Sequence, residues 1–266
     1  MIDVEGVSKY FDGVPLLSRI SFRVSRGERV SLLGPGACGK STIVKMIMGI
    51  LRPEEGRITL MGQDMVGGGD AAKEKTLRDM GMAFQQGALF DYMTVEENLT
   101  FAMENMTNMT AGEMDRKITE LLDTVKLPRT RRMFPHELSG GMQRRVGVAR
   151  AIATNPQVAV FDEPTSGLDP VTSTIILNMI NELVDISEGK SMMVVTSSVE
   201  IAIRFAERVI MVNEGRIVAD GSWKELLVTG PEWVRNFLGV RLIGIDLGYA
   251  RELGLPEEFI RAHWKT

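Results

Sequence analysis

The segment GPGACGKST, from Gly34 to Thr42, follows the apolar stretch ERVSLL and precedes the helical pattern STIVKMIMGI. It fits the pattern G-x-x-x-x-G-K-[ST] in the strand-to-helix context that a phosphate-binding loop requires. In such a loop the backbone N–H groups turn inward around phosphate oxygens, and the helix N-terminus adds its positive end. The sequence therefore predicts a nucleoside triphosphate site here.

Each position of this loop has an expected role. Lys40 should reach the β and γ phosphates, and the Ser41 hydroxyl can ligate Mg²⁺. Ala37 stands where a small residue is needed and is tolerable only if its φ is negative. Cys38 is either a loop filler or, beside a helix N-terminus and a lysine, a thiol that favours the thiolate and is open to alkylation when the site is empty. The remaining nucleotide contacts are expected from Gly34, Gly36, Gly39 and Thr42.

A second segment separates classes of nucleotide enzyme. The strand pattern QVAVFDEP ends in the adjacent carboxylates Asp162 and Glu163. Ligands of open α/β sheets bind at the carboxyl ends of the strands. We expect Asp162 to hold the Mg²⁺ shell through water and Glu163 to orient or polarise the attacking water. The alternative is a surface pair of acidic residues, which four preceding apolar residues disfavour.

The order of patterns along the chain predicts an α/β fold. In the first third, IDVEGVSKYF, RISFRV and ERVSLL indicate strands of a small antiparallel layer. Helices dominate from Thr94 to Ile152, and strands and helices then alternate, which favours a parallel sheet. The segments RVIMVN and RIVADG flank Glu214-Gly215 as an edge hairpin. We therefore predict a P-loop NTPase (RecA-like) core with an antiparallel β subdomain and an inserted helical subdomain over about 91–153.

Composition limits the partners. The 266 residues suit one domain with a subdomain, and 31 basic against 35 acidic residues give a net charge of only −4. This balance gives no nucleic-acid signal. No apolar run approaches the roughly 18 residues of a membrane helix, and the N-terminus begins like a strand, so we expect a cytoplasmic location.

Two further motifs carry a family resemblance. The stretches ELSGGMQRR and SGLDP flank the carboxylate strand, and with the phosphate loop they resemble the nucleotide-binding domain of ABC transporters over about Ile2 to Gly239. The resemblance implies ATP hydrolysis with Mg²⁺. It also implies a head-to-tail dimer in which Ser139, Gly140 and Gly141 bind the γ-phosphate held by the opposing subunit, and Asp169 communicates across the interface. A plain helix cap would explain Ser139 but not the paired glycines.

The resemblance assigns two more residues. Gln85, in AFQQGALF, matches the glutamine that lies between the Mg²⁺ site and the surface facing the membrane partner. The resemblance implies that Gln85 is a Mg²⁺ ligand with a catalytic role, although a polar residue without such a role could equally follow a strand. Phe11 best matches the aromatic that stacks on adenine, with Tyr10 as the alternative.

One position departs from the family. Where the family usually has a histidine at the γ-phosphate, this chain has Ser197, and neither His136 nor His263 supplies an imidazole by local spacing. Serine offers no imidazole to carry positive charge, so we expect ATP binding with slowed hydrolysis. Three explanations remain: a natural enzyme that is slow or uses another group, an engineered change that traps the ATP-bound dimer, or a regulatory subunit that hardly hydrolyses ATP.

The sequence of this chain indicates the transported substrate only indirectly. QGALFDYMTVEENLTFAM resembles Mla/Mce-type lipid-transport ATPases, which implies phospholipid transport at the cytoplasmic face of the inner membrane with permease subunits, an MCE-domain protein and a STAS-domain protein. Leu89, Phe90, Tyr92 and Met93 would receive a permease helix, or else pack within the subdomain. The alternatives are a polar-solute importer ATPase and an ATP-operated clamp outside transport.

The segment 240–266 follows the family region. In the family such an extension reaches over the neighbouring ATPase subunit. We expect this tail to form such a clasp, with Phe259 and Trp264 as anchors.

Overall fold

The computed structural model describes residues 1–85, 87–183, 189–243 and 245–264. An antiparallel sheet of four strands has the order β2-β1-β4-β5, and a second sheet of six strands has the order β10-β9-β3-β8-β7-β6. The antiparallel strands are β1 (Ile2–Phe11), β2 (Val14–Val24), β4 (Glu55–Leu60) and β5 (Gln63–Asp64). Those of the second sheet are β3 (Arg29–Leu33), β6 (Met80–Ala83), β7 (Val158–Asp162), β8 (Ser191–Thr196), β9 (Arg208–Asn213) and β10 (Arg216–Ser222).

The second sheet confirms the predicted parallel core and edge hairpin. Strands β3, β6, β7, β8 and β9 run parallel, and β10 pairs antiparallel with β9. One expectation was wrong: ERVSLL does not join the antiparallel layer with the other early strands. It forms β3, in the middle of the parallel sheet, because its apolar residues are buried on both faces as a central strand requires.

Helices cover this sheet. Their bounds are α1 (Lys40–Ile47), α2 (Asp70–Leu77), α3 (Val95–Met106), α4 (Ala111–Thr124), α5 (Gly140–Ile152), α6 (Pro170–Leu183), α7 (Val199–Phe205), α8 (Trp223–Thr229), α9 (Glu232–Leu242), α10 (Leu247–Glu252) and α11 (Glu257–His263). A short 3-10 helix spans Pro135–Glu137. The last three residues of the predicted helix VTSTIILNMINELVDI, 184–186, lie outside the described residues.

Local sequence explains where two subdomain helices begin. Thr94 caps α3 and Thr110 caps α4, and each forms a reciprocal capping box with the glutamate three residues later. Such a box satisfies N–H groups at the helix start within one turn. Among the described residues, no helix combines the length and apolar character needed to cross a membrane.

The C-terminal helices pack back onto their own chain. Phe259 and Ile260 are buried in a cluster with Trp223, Leu227 and residues of α7 and β9, and Trp264 packs against this cluster. The Trp264 indole N–H donates to the Ile245 carbonyl at 3.0 Å. The two residues predicted as clasp anchors therefore contact their own chain, and the clasp on a neighbouring subunit stays a prediction.

Tyr249 on α10 ties this tail to the core. Its hydroxyl donates to Glu200 on α7 and accepts from Arg204 Nη1 at 3.2 Å, and Arg204 also donates to Thr174 on α6 at 3.0 Å. Burial, followed by the hydrogen bond to Glu200, raises the pKa of Tyr249 to about 12 from its ordinary 10.0.

We expect Tyr249→Phe to destabilise the protein most below pH 10. Because the folded pKa lies above the unfolded one, the phenol's contribution is fully present below pH 10 and is lost as pH rises toward 12. The gap in unfolding free energy between the parent chain and the variant should therefore shrink from pH 9 to pH 11 in urea titrations. Tyr92→Phe, at a position 74% exposed, is the control and should show no such trend. A gap that widens with pH would contradict this assignment.

Candidate active site

The chemistry-bearing segments meet at one edge of the parallel sheet. The phosphate loop follows β3, Gln85 follows β6, Asp162 ends β7 and Thr196 ends β8. Because these strands are parallel, their carboxyl ends lie side by side. They surround a cavity of about 480 Å³. The cavity is lined by Leu16, Gly36, Ala37, Gly39, Lys40, Ser41, Thr42, Gln85, Glu163, Ser166 and Ser197.

Lys40 is held at the base of the phosphate loop. Its side chain is buried, and its ammonium donates to the carbonyls of Gly34 at 2.9 Å and Pro35 at 2.8 Å. Gly39 precedes it with φ 99°, and a Cβ there would lie 2.5 Å from Leu17 Cδ2. Only glycine fits this turn, which brings the lysine and the start of α1 to the cavity.

Ala37 contradicts the expectation of a negative φ. Its φ is 61°, in the left-handed region. An L-residue there brings Cβ too close to a neighbouring carbonyl oxygen, at a cost of roughly 1 to 2 kcal/mol. The loop imposes this conformation because its backbone N–H groups must turn inward to form an anion-binding concavity. The strain at Ala37 is a consequence of that geometry.

We expect Ala37→Gly to raise the free energy of unfolding by about 0.5 to 1 kcal/mol. The gain is smaller than the relieved strain because glycine also adds freedom to the unfolded chain. Ala72→Gly, at an exposed helical position in α2, should instead lower stability. Urea unfolding of both variants measures the contrast, and a loss of stability in Ala37→Gly would contradict the strain.

Cys38 turns away from the cavity. Its side chain is buried in the cluster beneath the loop, and its Sγ lies 3.9 Å from Lys40 Nζ. Burial raises the pKa of the thiol, and the nearby Lys40 only partly opposes this. The expectation of a favoured thiolate open to alkylation was therefore wrong, because desolvation outweighs the helix end and the lysine.

Asp162 is a buried carboxylate with spare coordinating capacity. Burial raises the pKa of Asp162, and a hydrogen bond from Ser41 opposes this. Its Oδ1 is buried and has no hydrogen-bond partner among the described residues. An orphaned carboxylate oxygen beside a serine hydroxyl fits Mg²⁺, which prefers oxygen ligands and retains water. Gln85, predicted as a third ligand, lines the same cavity from the turn after β6.

Glu163 is held by β8 through its backbone and its side chain. Its φ is 46°, its N–H donates to the Val195 carbonyl at 2.8 Å, and its Oε2 accepts from the Thr196 hydroxyl at 3.2 Å. Sequence reasoning missed Thr196 and also missed Leu16 and Ser166, which line the cavity. Ser166 lies inside SGLDP and could have been found there; Leu16 comes from the β1–β2 hairpin and had no local signal.

The LSGGMQ segment forms the start of α5, away from this cavity. The Ser139 hydroxyl caps the helix by accepting from the Met142 N–H at 3.3 Å. A Cβ at Gly141 would lie 3.3 Å from Thr172 Cγ2, so packing on α6 accounts for that glycine. A Cβ at Gly140 would meet no atom within 4 Å in the part of the chain that the structure describes. Packing within the chain therefore does not explain why Gly140 is a glycine. Close approach of a ligand to its backbone would explain it.

Three other predicted positions have clear local surroundings. Asp169 caps α6, accepting from the Thr172 N–H at 2.9 Å and its hydroxyl at 2.6 Å, and these bonds lower the pKa of its carboxyl. Phe11 is 48% exposed at the end of β1, with the Lys9 ammonium 5.3 Å from its ring centre. It does not line the cavity, so its stacking on adenine stays a prediction. Ser197 lines the cavity, whereas Ser198 caps α7.

Comparison with known proteins agrees with this geometry. Residues 17–166 match the family described as ABC transporter. The glutamate transport ATP-binding protein GluA of Corynebacterium efficiens is 37% identical over 90% of this chain and 98% of its own length. The chloroplastic protein trigalactosyldiacylglycerol 3 of Arabidopsis thaliana is 33% identical over 89% of this chain and 73% of its own.

A solved structure extends the agreement to the fold. The ATP-binding cassette MJ0796, a dimer in a post-hydrolysis state bound to ADP and phosphate, superposes with a TM-score of 0.75. The two chains are 32% identical, and the match covers 84% of this chain and 98% of the other. The predicted fold is thereby confirmed. The relatives give no particular support to the Mla/Mce type, and GluA is named for transport of an amino acid.

Proposed function

The chain belongs to the ABC transporter family, whose ATP-binding subunits hydrolyse ATP with Mg²⁺ to drive transport, and from this premise we propose that it powers movement of a small polar solute, such as an amino acid, through a membrane permease. The observation that carries this cargo class is the likeness to the glutamate transport protein, which extends over nearly the whole of both chains. A cargo of this class would be selected by the permease and its partners.

Two copies would act together. The phosphate loop and Glu163 line the cavity, while Ser139 and Gly140 lie outside it with free approach to the Gly140 backbone. A head-to-tail dimer would bring this helix start from one copy onto the γ-phosphate in the other. The solved cassette is a dimer bound to ADP and phosphate, which supports action as a pair of copies.

Within each site the residues divide the work. Lys40 and the loop N–H groups would bind the phosphate oxygens, and Glu163 would take a proton from the attacking water. Ser41, Asp162 and Gln85 would hold Mg²⁺, whose chemistry when bound would be to neutralise phosphate charge. Ser197 can donate one hydrogen bond to the γ-phosphate but carries no charge.

An apolar groove beside the Gln85 turn suits the permease. It has a volume of about 390 Å³ and is lined largely by methionine and aromatic side chains, among them Met80, Met82, Phe90, Phe101 and Met106. Such a surface adapts to an inserted helix. Of the four residues predicted for docking, Tyr92 is exposed, while Leu89, Phe90 and Met93 are half-buried.

A buried asparagine shapes this docking loop. Asn98 on α3 accepts from the Phe90 N–H at 2.8 Å and donates to the carbonyls of Phe90, Met93 and Thr94 at 3.0 to 3.2 Å. These bonds satisfy backbone N–H and carbonyl groups of the loop that would otherwise be buried without partners. The loop therefore holds its aromatic side chains on a rigid support.

Phospholipid is the second candidate cargo. The GALF turn after Gln85 favours it, and a relative named for trigalactosyldiacylglycerol, a galactolipid, favours a lipid cargo only in general. The MCE-domain and STAS-domain partners belong to this candidate alone.

The test isolates the complex from its native membrane through this chain and reconstitutes it in liposomes. ATPase stimulation by an amino acid, with a permease present, would support the polar-solute cargo. Stimulation that requires an MCE-domain protein and phospholipid would replace it with the second candidate. Recovery of an active dimer with no permease would overturn a role in transport.

The docking groove has its own matched pair of variants. Met106→Asp, at a groove position 41% exposed, should release the permease, because its carboxylate would be desolvated without a partner when a permease helix fills the groove. Val240→Asp, at a position 71% exposed on α9, should leave the complex intact. Equal recovery of permease with both variants would remove the groove from the interface.

A further inference from the structure

Thr196 lies at the point where three parts of the catalytic edge meet. It is the last residue of β8, and its side chain is fully buried. Its hydroxyl donates to Glu163 Oε2 at 3.2 Å and accepts from the Ser198 N–H at 3.1 Å. Its carbonyl accepts from the Gly34 N–H at 3.3 Å. One residue therefore joins the acidic loop, the loop containing Ser197 and the start of the phosphate loop.

The hydrogen-bond arrangement gives the hydroxyl a direction. A hydroxyl has one proton and two lone pairs. With a lone pair receiving the Ser198 N–H, its proton points to the Glu163 carboxylate. Burial excludes water that would compete for either bond. Holding one carboxylate oxygen leaves the other for the proton of the attacking water.

Glu163 needs such a support. It occupies a left-handed backbone conformation, φ 46°, which most side chains avoid. Its N–H is held by the Val195 carbonyl at 2.8 Å. The strand β8 therefore fixes the backbone through Val195 and the side chain through Thr196, and removal of either contact would free the carboxylate to rotate.

We propose that Thr196 is a positioning residue for ATP hydrolysis, whose hydroxyl aims the Glu163 carboxylate and couples it to the Ser197 loop. The proposal rests on the role of Glu163 as the base given above. Because Ser197 contributes no imidazole to the γ-phosphate, transition-state stabilisation at this site depends more strongly on the orientation of the Glu163 carboxylate.

The test compares Thr196→Val with Thr196→Ser in the ATPase complex. Valine keeps the branched shape and removes the hydroxyl, so kcat should fall about fivefold while KM for ATP stays within about twofold. Serine keeps the hydroxyl and should restore more than half of the lost rate. If the valine variant does not fold, Thr196→Ala against Thr196→Ser makes the same comparison.

A matched control separates positioning from stability. Ser191 is also buried in β8, at the far end of the strand, and its hydroxyl donates to the Ser25 carbonyl at 2.9 Å. Ser191→Ala should lower the unfolding midpoint without changing kcat. An unchanged kcat in Thr196→Val, or a serine variant as slow as valine, would overturn the proposal. If Glu163→Gln retains full turnover, the base assignment fails instead, which is a different result.

Discussion

Glu163→Gln is expected to lower steady-state ATP turnover by at least about a hundredfold while ATP binding is retained. The amide cannot accept the proton of the attacking water, and a positioned general base contributes roughly 10²- to 10⁴-fold. Glutamine has the same shape, and its carbonyl oxygen can still accept the Thr196 hydroxyl bond, so the loop should keep its place. Phosphate release from the permease complex and nucleotide binding at equilibrium are the two measurements.

A control shows whether the loss is specific. Glu182→Gln alters an exposed carboxylate on α6 and should leave turnover unchanged. Retention of more than about a tenth of the parent rate by Glu163→Gln would mean that another group accepts the proton. Loss of nucleotide binding together with turnover would mean that the substitution had disturbed the site.

Ser197→His should raise turnover by roughly tenfold, about 1.4 kcal/mol of transition-state stabilisation. The reason is that Ser197 lines the same cavity as Lys40 and Glu163, so an imidazole there can reach the γ-phosphate and carry positive charge. The measurement is kcat for the permease complex at neutral pH, with KM for ATP determined alongside it.

The neighbouring serine gives a matched control. Ser198 caps α7 by accepting from the Ile201 N–H at 3.4 Å, so Ser198→His should lose a cap and give no gain in rate. A gain in kcat limited to Ser197→His would show that the serine, natural or introduced, slows hydrolysis in an otherwise ordinary transport ATPase. High turnover of the parent chain with no gain in Ser197→His would show that the site stabilises the γ-phosphate in another way. Negligible turnover in both would favour the regulatory role.

Some sequence expectations failed for a common reason. Ala37 was expected at negative φ and Cys38 as a favoured thiolate, yet Ala37 is left-handed and burial disfavours the Cys38 thiolate. Both outcomes depend on what surrounds the loop in space. Phe259 and Trp264 pack on a cluster of α7 and α8 residues that is distant in sequence, and the clasp predicted for them stays a prediction.

The sequence by itself determined the fold class and predicted the main parts of the candidate site. The phosphate loop, the Asp162-Glu163 pair, LSGGMQ and SGLDP are contiguous, so their chemistry follows from residues a few positions apart. The capping boxes at Thr94 and Thr110 are equally local, since their hydrogen bonds close within one helical turn.

Only the tertiary structure decided which side chains meet across elements. Thr196 reaches Glu163 from 33 residues away because β8 lies beside β7, and Tyr249 reaches Glu200 from 49 residues away because α10 folds back on α7. Desolvation of Cys38 and Asp162 also arises only when distant apolar residues enclose them. Hydrogen bonds and burial depend on distances in space, and the linear pattern does not contain those distances.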